Sequence, residues 1–316
     1  MTHDRVRVRP ARADRGPRNA EPRGKYYLAL RAYPTLLDQS TMNRQRLGAF
    51  HVVEHISSGP SGDVYACVRS PGEARVIVKM LHASAAADTR ARFEREAWIY
   101  GRLRTPHTPR LLERGEIERA PYFVLERVIG PTLREAMGSG ECLHLDSAAN
   151  LARALFVALA GVHAAGIVHR DVKPENVVVC SPPAVAVVDF GVASGVVANE
   201  HAEASLTTED AVLGTLAYAA PEQVDNASAT VAGDLYAAGV IVYELLSGRL
   251  PFEGPTGAAI LAMKRCREAS RISSWVRGLP PGVDELVALL LARAPERRPA
   301  SAARVVELLD QCMVQR

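Results

Sequence analysis

Eight consecutive residues, His169-Arg170-Asp171-Val172-Lys173-Pro174-Glu175-Asn176, constrain this chain more than any other stretch. An Asp and an Asn five residues apart on a tight loop can point into one site. The carboxylate can accept a proton from a hydroxyl while the amide oxygen holds a divalent metal. Lys173, between them, would set a positive charge beside a phosphoryl group in transfer. The rest of the chain must then supply the other parts of such a site at workable distances.

Those parts follow in order. Phe50 to Tyr65 reads as strand, turn, strand, with Ile56-Ser57-Ser58-Gly59-Pro60-Ser61-Gly62-Asp63-Val64 at its tip. Bare glycine amides at such a tip can approach phosphates closely, although an ordinary hairpin turn explains the stretch about as well. Pro60 stiffens the tip and removes one amide donor. Arg75 to Lys79 is an alternating apolar run ending in lysine, and seventeen residues later Glu96 falls within the helical pattern Arg90 to Leu103. A pairing of these charges requires them within roughly 4 Å in a partly buried site, where attraction is much stronger than in water. Strands around Arg110 to Glu116 and Tyr122 to Leu125 precede Gly130-Pro131-Thr132-Leu133, which punctuates the entry to a second region. Ala148 to Ala165 has the spacing of a buried helix. Val177 to Val179 and Val185 to Val188 are short strands joined at Ser181-Pro182-Pro183, the second running into Asp189-Phe190-Gly191. Asp234 opens a strongly apolar helix to Gly248, where N-cap geometry gives a local reason for an aspartate.

Taken together, residues 48 to 312 resemble the eukaryotic-like serine/threonine protein kinases of bacteria. The carrying stretches are H-R-D-V-K-P-E-N at 169–176, D-F-G at 189–191, G-T-L-A-Y-A-A-P-E at 214–222 and Lys79 with Glu96. The resemblance implies an α+β, bilobal fold. A small lobe, 48–128, would hold a five-stranded antiparallel sheet with one main helix, and a larger, mainly helical lobe would span 129–312. It implies ATP and Mg²⁺ (or Mn²⁺) as cofactors and protein Ser/Thr hydroxyls as acceptors. Asp171 would be the base, with Lys173 and Thr215 beside it, and Lys79, held by Glu96, would grip the α- and β-phosphates. Asn176 and Asp189 would hold metal. Ile56, Gly59, Gly62, Val64, Ile77, Leu125, Glu126, Val128 and Val178 would line the nucleotide, the hinge contributing backbone groups of Glu126 and Val128. Asp234 would brace the catalytic-loop backbone, and Arg298 would pair with Glu222. Arg170 would meet a phosphorylated residue of the activation segment, with Ser205, Thr207 and Thr208 as the candidate hydroxyls. Glu209 and Asp210 stand at the commonly phosphorylated position and are expected to pre-order that segment in part.

Composition bounds the remainder. Residues 1–47 carry eleven Lys/Arg against four Asp/Glu, a net of +7, so the formal +3 of the whole chain leaves −4 for the rest. Residues 1–25, rich in Arg, Pro and Ala, have a disordered composition. Without stacking aromatics or a helical stripe, this basic extension reads as a solvated arm, and nucleic-acid binding is not expected. Met42 is an alternative start, with residues 1–41 dispensable. Five scattered cysteines without a CxxC pair suit a reducing cytoplasm. No membrane span, secretory signal or sensor domain after Arg316 is expected. A kinase-domain dimer for autophosphorylation is compatible with the reading.

Departures from the family pattern bear on nucleotide binding. Ser57 stands at the first glycine of the glycine-rich loop. Ile77 stands where the family has Ala above the adenine, while Val178 replaces a larger Leu below it. Two alternatives stay open at this point: a pseudokinase that binds nucleotide or partners without transfer, and a small-molecule kinase, which Thr215 and Pro221-Glu222 disfavour.

Overall fold

The computed structural model describes residues 46–59, 62–138, 145–181, 184–195, 216–224 and 230–314. The first lobe contains β1 (Arg46–Leu47), β2 (Phe50–Gly59), β3 (Gly62–Val68), β4 (Val76–Met80), α1 (Ala87–Arg102), β5 (Leu111–Ile117) and β6 (Ala120–Glu126). The strands form one antiparallel sheet in the order β1-β2-β3-β4-β6-β5. It has six strands rather than the expected five. The addition is β1, which pairs Arg46 with His51 and Leu47 with Phe50. Two residues are too few to display a strand's period of two, so nothing in the local pattern announced it.

Successive residues of a strand face opposite ways, and this sheet uses both faces. Ala66, Ile77 and Leu125 lie in register across three strands, as do Val64, Lys79 and Phe123. Their apolar members join Phe93, Ala97 and Tyr100 of α1 in the main core. The alternate residues Tyr65, Cys67, Val78 and Val124 pack with Leu47, Phe50 and Val52 in a separate outer cluster. Lys79 is therefore on the inner face, toward α1.

The second lobe contains α2 (Leu133–Met137), α3 (Leu145–Ala164), β7 (Ile167–Val168), β8 (Val177–Val179), β9 (Val185–Val187) and β10 (Ser194–Gly195). There follow α4 (Pro221–Val224), α5 (Val231–Ser247), α6 (Gly257–Cys266), α7 (Val283–Leu290) and α8 (Ala302–Val314). Thr132 and Glu135 form a capping box that starts α2. By length and composition α3 could cross a membrane. Here Ala152, Leu155, Phe156 and Leu159 are buried in the lobe, and Arg153 donates twice to Asp310 of α8 (2.7 and 3.0 Å). It is a core helix of this fold.

The start of α5 corrects one expectation. Its N-cap is Thr230, whose hydroxyl accepts from the Gly233 amide. Asp234 lies a turn inside the helix, so its carboxylate is free to leave the helix axis for the catalytic loop.

The connection between lobes is stitched to β8. Val179 N–H donates to the Pro131 carbonyl (2.8 Å), and Thr132 bridges Val178. Gly130 has φ +153°, and a Cβ there would collide with the Val179 carbonyl oxygen. Only glycine fits this crossing.

Candidate active site

The residues Asp171 to Asn176 fold back on themselves through a short 3₁₀ turn, Pro174–Asn176, begun by proline at its first position. Asn176 Nδ2 donates to the Asp171 carbonyl (2.8 Å) and to Asp171 Oδ2 (3.0 Å). Lys173 Nζ donates to the same carboxylate oxygen at 2.7 Å. The five-residue spacing thus closes a ring in which Asp171 is oriented by its own loop. Both Asn176 donations run through Nδ2, so the amide oxygen remains the atom that can face a cation. Burial pushes the Asp171 carboxyl above the usual carboxylate range; Lys173 pulls it back, and the charge of Asp189 adds to the rise.

The loop backbone is clamped from behind. Asp234, 1 % exposed, accepts from the amides of His169 (2.8 Å) and Arg170 (2.8 Å) and from His163 Nε2 (2.9 Å). Asp171 N–H donates to His169 Nδ1 (3.3 Å), which leaves His169 Nε2–H to donate to the Val188 carbonyl (3.0 Å). Arg170 and Asp189 both have positive φ, 70° and 62°. Non-glycine residues there are strained by about 1–3 kcal/mol, and the surrounding bonds hold them. Arg170 is tied through its amide to Asp234 and through its carbonyl to Gln223 Nε2 (3.3 Å). Asp189 N–H donates to the Tyr100 hydroxyl (3.1 Å), and Asp189 Oδ1 accepts from the Gly191 amide (3.3 Å).

Across the cleft, Lys79 Nζ donates to Glu96 Oε2 at 2.5 Å, with side chains 12 % and 5 % exposed. Burial raises the Glu96 pKa, Lys79 lowers it and Asp189 raises it, which places Asp189 within electrostatic reach of the pair. A row of rings connects the two sides: Tyr100 of α1 lies 5.2 Å from Phe190, and Phe190 lies 4.6 Å from His169.

At the glycine-rich hairpin, Ser57 pairs with Val64, Ser58 with Asp63 and Gly59 with Gly62. Ser57 is extended strand and needs none of glycine's freedom. Gly62 does, with φ +122° and no room for a Cβ beside the Met80 carbonyl. Ile77 is 1 % exposed and belongs to the same core as Val64, Leu125 and Val178. Ile56 and Val128 pack on that core, partly buried, while Glu126 is exposed and its amide donates to the Arg110 carbonyl (2.9 Å).

The end of the segment after Asp189 is anchored twice. Arg298 donates to both oxygens of Glu222 (2.5 and 2.8 Å) and to the carbonyls of Ala292, Ala232 and Arg293. Tyr218 donates to Glu244 Oε2 (2.5 Å). Arg134 contacts the Tyr218 hydroxyl and donates to Glu244 Oε1 (2.8 Å) and to Glu175 Oε1 (2.9 Å). The sequence pattern gave no sign of Arg134, which reads there as one more helix-surface charge. Thr215, Ser205, Thr207 and Thr208 lie outside the described residues, as do Glu209 and Asp210.

The donor set fits a nucleotide and a hard cation. The amide oxygen of Asn176 and the carboxylate of Asp189 are oxygen ligands of the kind Mg²⁺ takes beside phosphates, and the Lys79 ammonium, held by Glu96, is a cation suited to phosphate.

A two-lobed fold with a lysine–glutamate ion pair on one side and a carboxylate–amide loop on the other is the architecture of the protein-kinase class. Residues 50–310 match the protein kinase domain, and the chain belongs to that family. It is 36% identical over 249 residues to the serine/threonine-protein kinase PknL of Mycobacterium tuberculosis, covering 78% of this chain and 61% of PknL. It is 35% identical over 260 residues to the probable serine/threonine-protein kinase PknB of Corynebacterium glutamicum, covering 79% and 40%. With the probable serine/threonine-protein kinase pknA2 of Bifidobacterium longum it shares 30% over 269 residues, 84% of this chain and 35% of the relative. The chain therefore matches only part of each relative's length.

Proposed function

We propose that this chain transfers the γ-phosphoryl group of ATP to serine and threonine hydroxyls of proteins, itself included. The observation that carries this reading is the Asp171 carboxylate, oriented by Lys173 and Asn176 in a loop whose backbone Asp234 clamps. Asp171 orients the acceptor hydroxyl and takes its proton. Lys173 stands 2.7 Å from that carboxylate and balances charge on the group in transfer. Lys79, held by Glu96, binds the nucleotide phosphates, and Asn176 and Asp189 would hold Mg²⁺ or Mn²⁺. A cation held there would supply neutralisation of charge on the phosphate oxygens. Positioning and charge stabilisation supply most of the acceleration. The free cysteines 67, 180, 266 and 312 support work in a reducing cytoplasm. Phosphorylation at Ser205, Thr207 or Thr208, met by Arg170 and made between paired kinase domains, completes the reading.

Incubation with labelled ATP and Mg²⁺ or Mn²⁺, beside Asp171→Ala, tests it. Label on protein Ser/Thr that disappears in the variant is expected; nucleotide binding without transfer in the native chain makes it a scaffold instead. The pH dependence adds a second reading of the same residue. Asp171 acts deprotonated and its carboxyl is raised, so activity should fall with decreasing pH earlier than for an ordinary carboxylate. Lys173→Met removes the charge that lowers the Asp171 pKa and should move that acid limb higher still; an unmoved limb separates Asp171 from the titration.

Ile77 supports a further point about the nucleotide. Its side chain carries three more carbons than alanine in a fully buried position, and overpacking costs about 1–3 kcal/mol. Ile77→Ala is expected to tighten ATP binding, measured by titration calorimetry. Unchanged affinity would remove crowding as a feature of this pocket.

A further inference from the structure

Lys264, near the end of α6, is 1 % exposed and among the largest fully buried side chains. Its ammonium donates to three backbone carbonyls, of Leu216 (2.9 Å), Ala217 (2.7 Å) and Ala219 (2.6 Å). An ammonium has three N–H groups and no acceptor, so these carbonyls match its full donor set. A neutral amine would leave one without a donor. The Tyr236 ring lies 5.2 Å from Nζ, and the same ring meets the Arg298 guanidinium at 4.9 Å. Glu222 is the carboxylate whose field favours the charge, and it is already engaged in two bonds by Arg298. Burial pushes the ammonium down to about 7, while the three carbonyls favour its charged form.

A buried charge without its own carboxylate is costly, and an apolar side chain would fill the space without that cost. What the charge supplies is a fixed course for the chain from Leu216 to Ala219. That stretch is tied on its other side to the catalytic loop. Gln223 accepts from the Ala220 amide (2.8 Å) and donates to the Arg170 carbonyl, and Tyr218 reaches Glu175 through Arg134. The stretch therefore borders the place where an acceptor must meet Asp171.

We propose that Lys264 is a positioning residue for the protein acceptor, holding the Leu216–Ala219 backbone in the course that presents the acceptor hydroxyl to Asp171. This rests on the protein-acceptor reading above. The test is steady-state kinetics of the full chain with Mg-ATP and myelin basic protein, comparing native enzyme, Lys264→Met and Lys264→Gln. Lys264→Met should raise the acceptor KM about tenfold or more, leaving ATP KM and acceptor-independent ATP hydrolysis within about twofold. Lys264→Gln, which keeps two N–H donors, should recover part of that loss. An unchanged acceptor KM in a folded variant overturns the assignment. So does parallel loss of acceptor transfer and ATP hydrolysis, or failure of both variants to fold, since Lys264 is then only a core residue. Absence of any transfer by the native enzyme overturns the acceptor reading itself, and this assignment with it.

Discussion

Arg298→Ala should destabilise the fold by about 3–5 kcal/mol, the usual consequence of removing one partner of a buried ion pair. For a domain of this size that is roughly 6–20 °C in Tm. The side chain is wholly inaccessible, and five donations leave it: two to Glu222 and three to backbone carbonyls. Alanine would strand the Glu222 carboxylate, which is only 16 % exposed, and three carbonyls with it. Much of the expected loss is that stranded charge. The double variant Arg298→Met with Glu222→Leu should therefore recover a large part of it, because apolar replacement of a whole buried pair is often neutral. Thermal unfolding of the single and double variants decides the matter. A single variant within 1 °C of the parent would show that the pair carries little.

Asp234→Ala should lower kcat by about 10²-fold, the scale expected when a catalytic group shifts by about 1 Å. The carboxylate satisfies two backbone amides and His163 at once. Each buried donor left without an acceptor costs roughly 1–3 kcal/mol, and the loop can avoid that cost by moving. Arg170, already at φ 70°, is the residue most easily released from its strained conformation. The expectation is a fall in kcat with little change in ATP KM, since Lys79 and Glu96 lie on the other lobe. A kcat within threefold of the parent would mean that the loop holds Asp171 without help from α5.

How far the site was legible depends on whether each residue's partner lay in its own stretch. Asp171, Lys173 and Asn176 are partners of one another, so their spacing already described their geometry. Lys79 and Glu96 sit on two elements whose periods of two and 3.6 are plain, and the pair forms as expected. Asp234 was tied to the catalytic loop through resemblance, but its local explanation failed, because Thr230 caps the helix. Ser57 drew notice only by standing at the family's first glycine; paired with Val64 in extended strand, it needs none of glycine's freedom. Lys264 was invisible. In Ala262-Met263-Lys264-Arg265 it looks like an ordinary basic helix end, and its three acceptors lie 45 to 48 residues earlier.

Arg134 has a consequence for how the molecule comes to exist. Its bonds to Glu175, Tyr218 and Glu244 close chain loops of 41, 84 and 110 residues. Loop closure costs entropy that grows with length, so these contacts are expected to follow, and not to start, the meeting of the helices. The guanidinium then joins the turn beside Asp171, the segment at Tyr218 and the central helix in one node. No collapsed intermediate in which one of those three parts is out of place can assemble it. The node needs all three parts in place, so Arg134 reports on the completeness of the lobe as a whole.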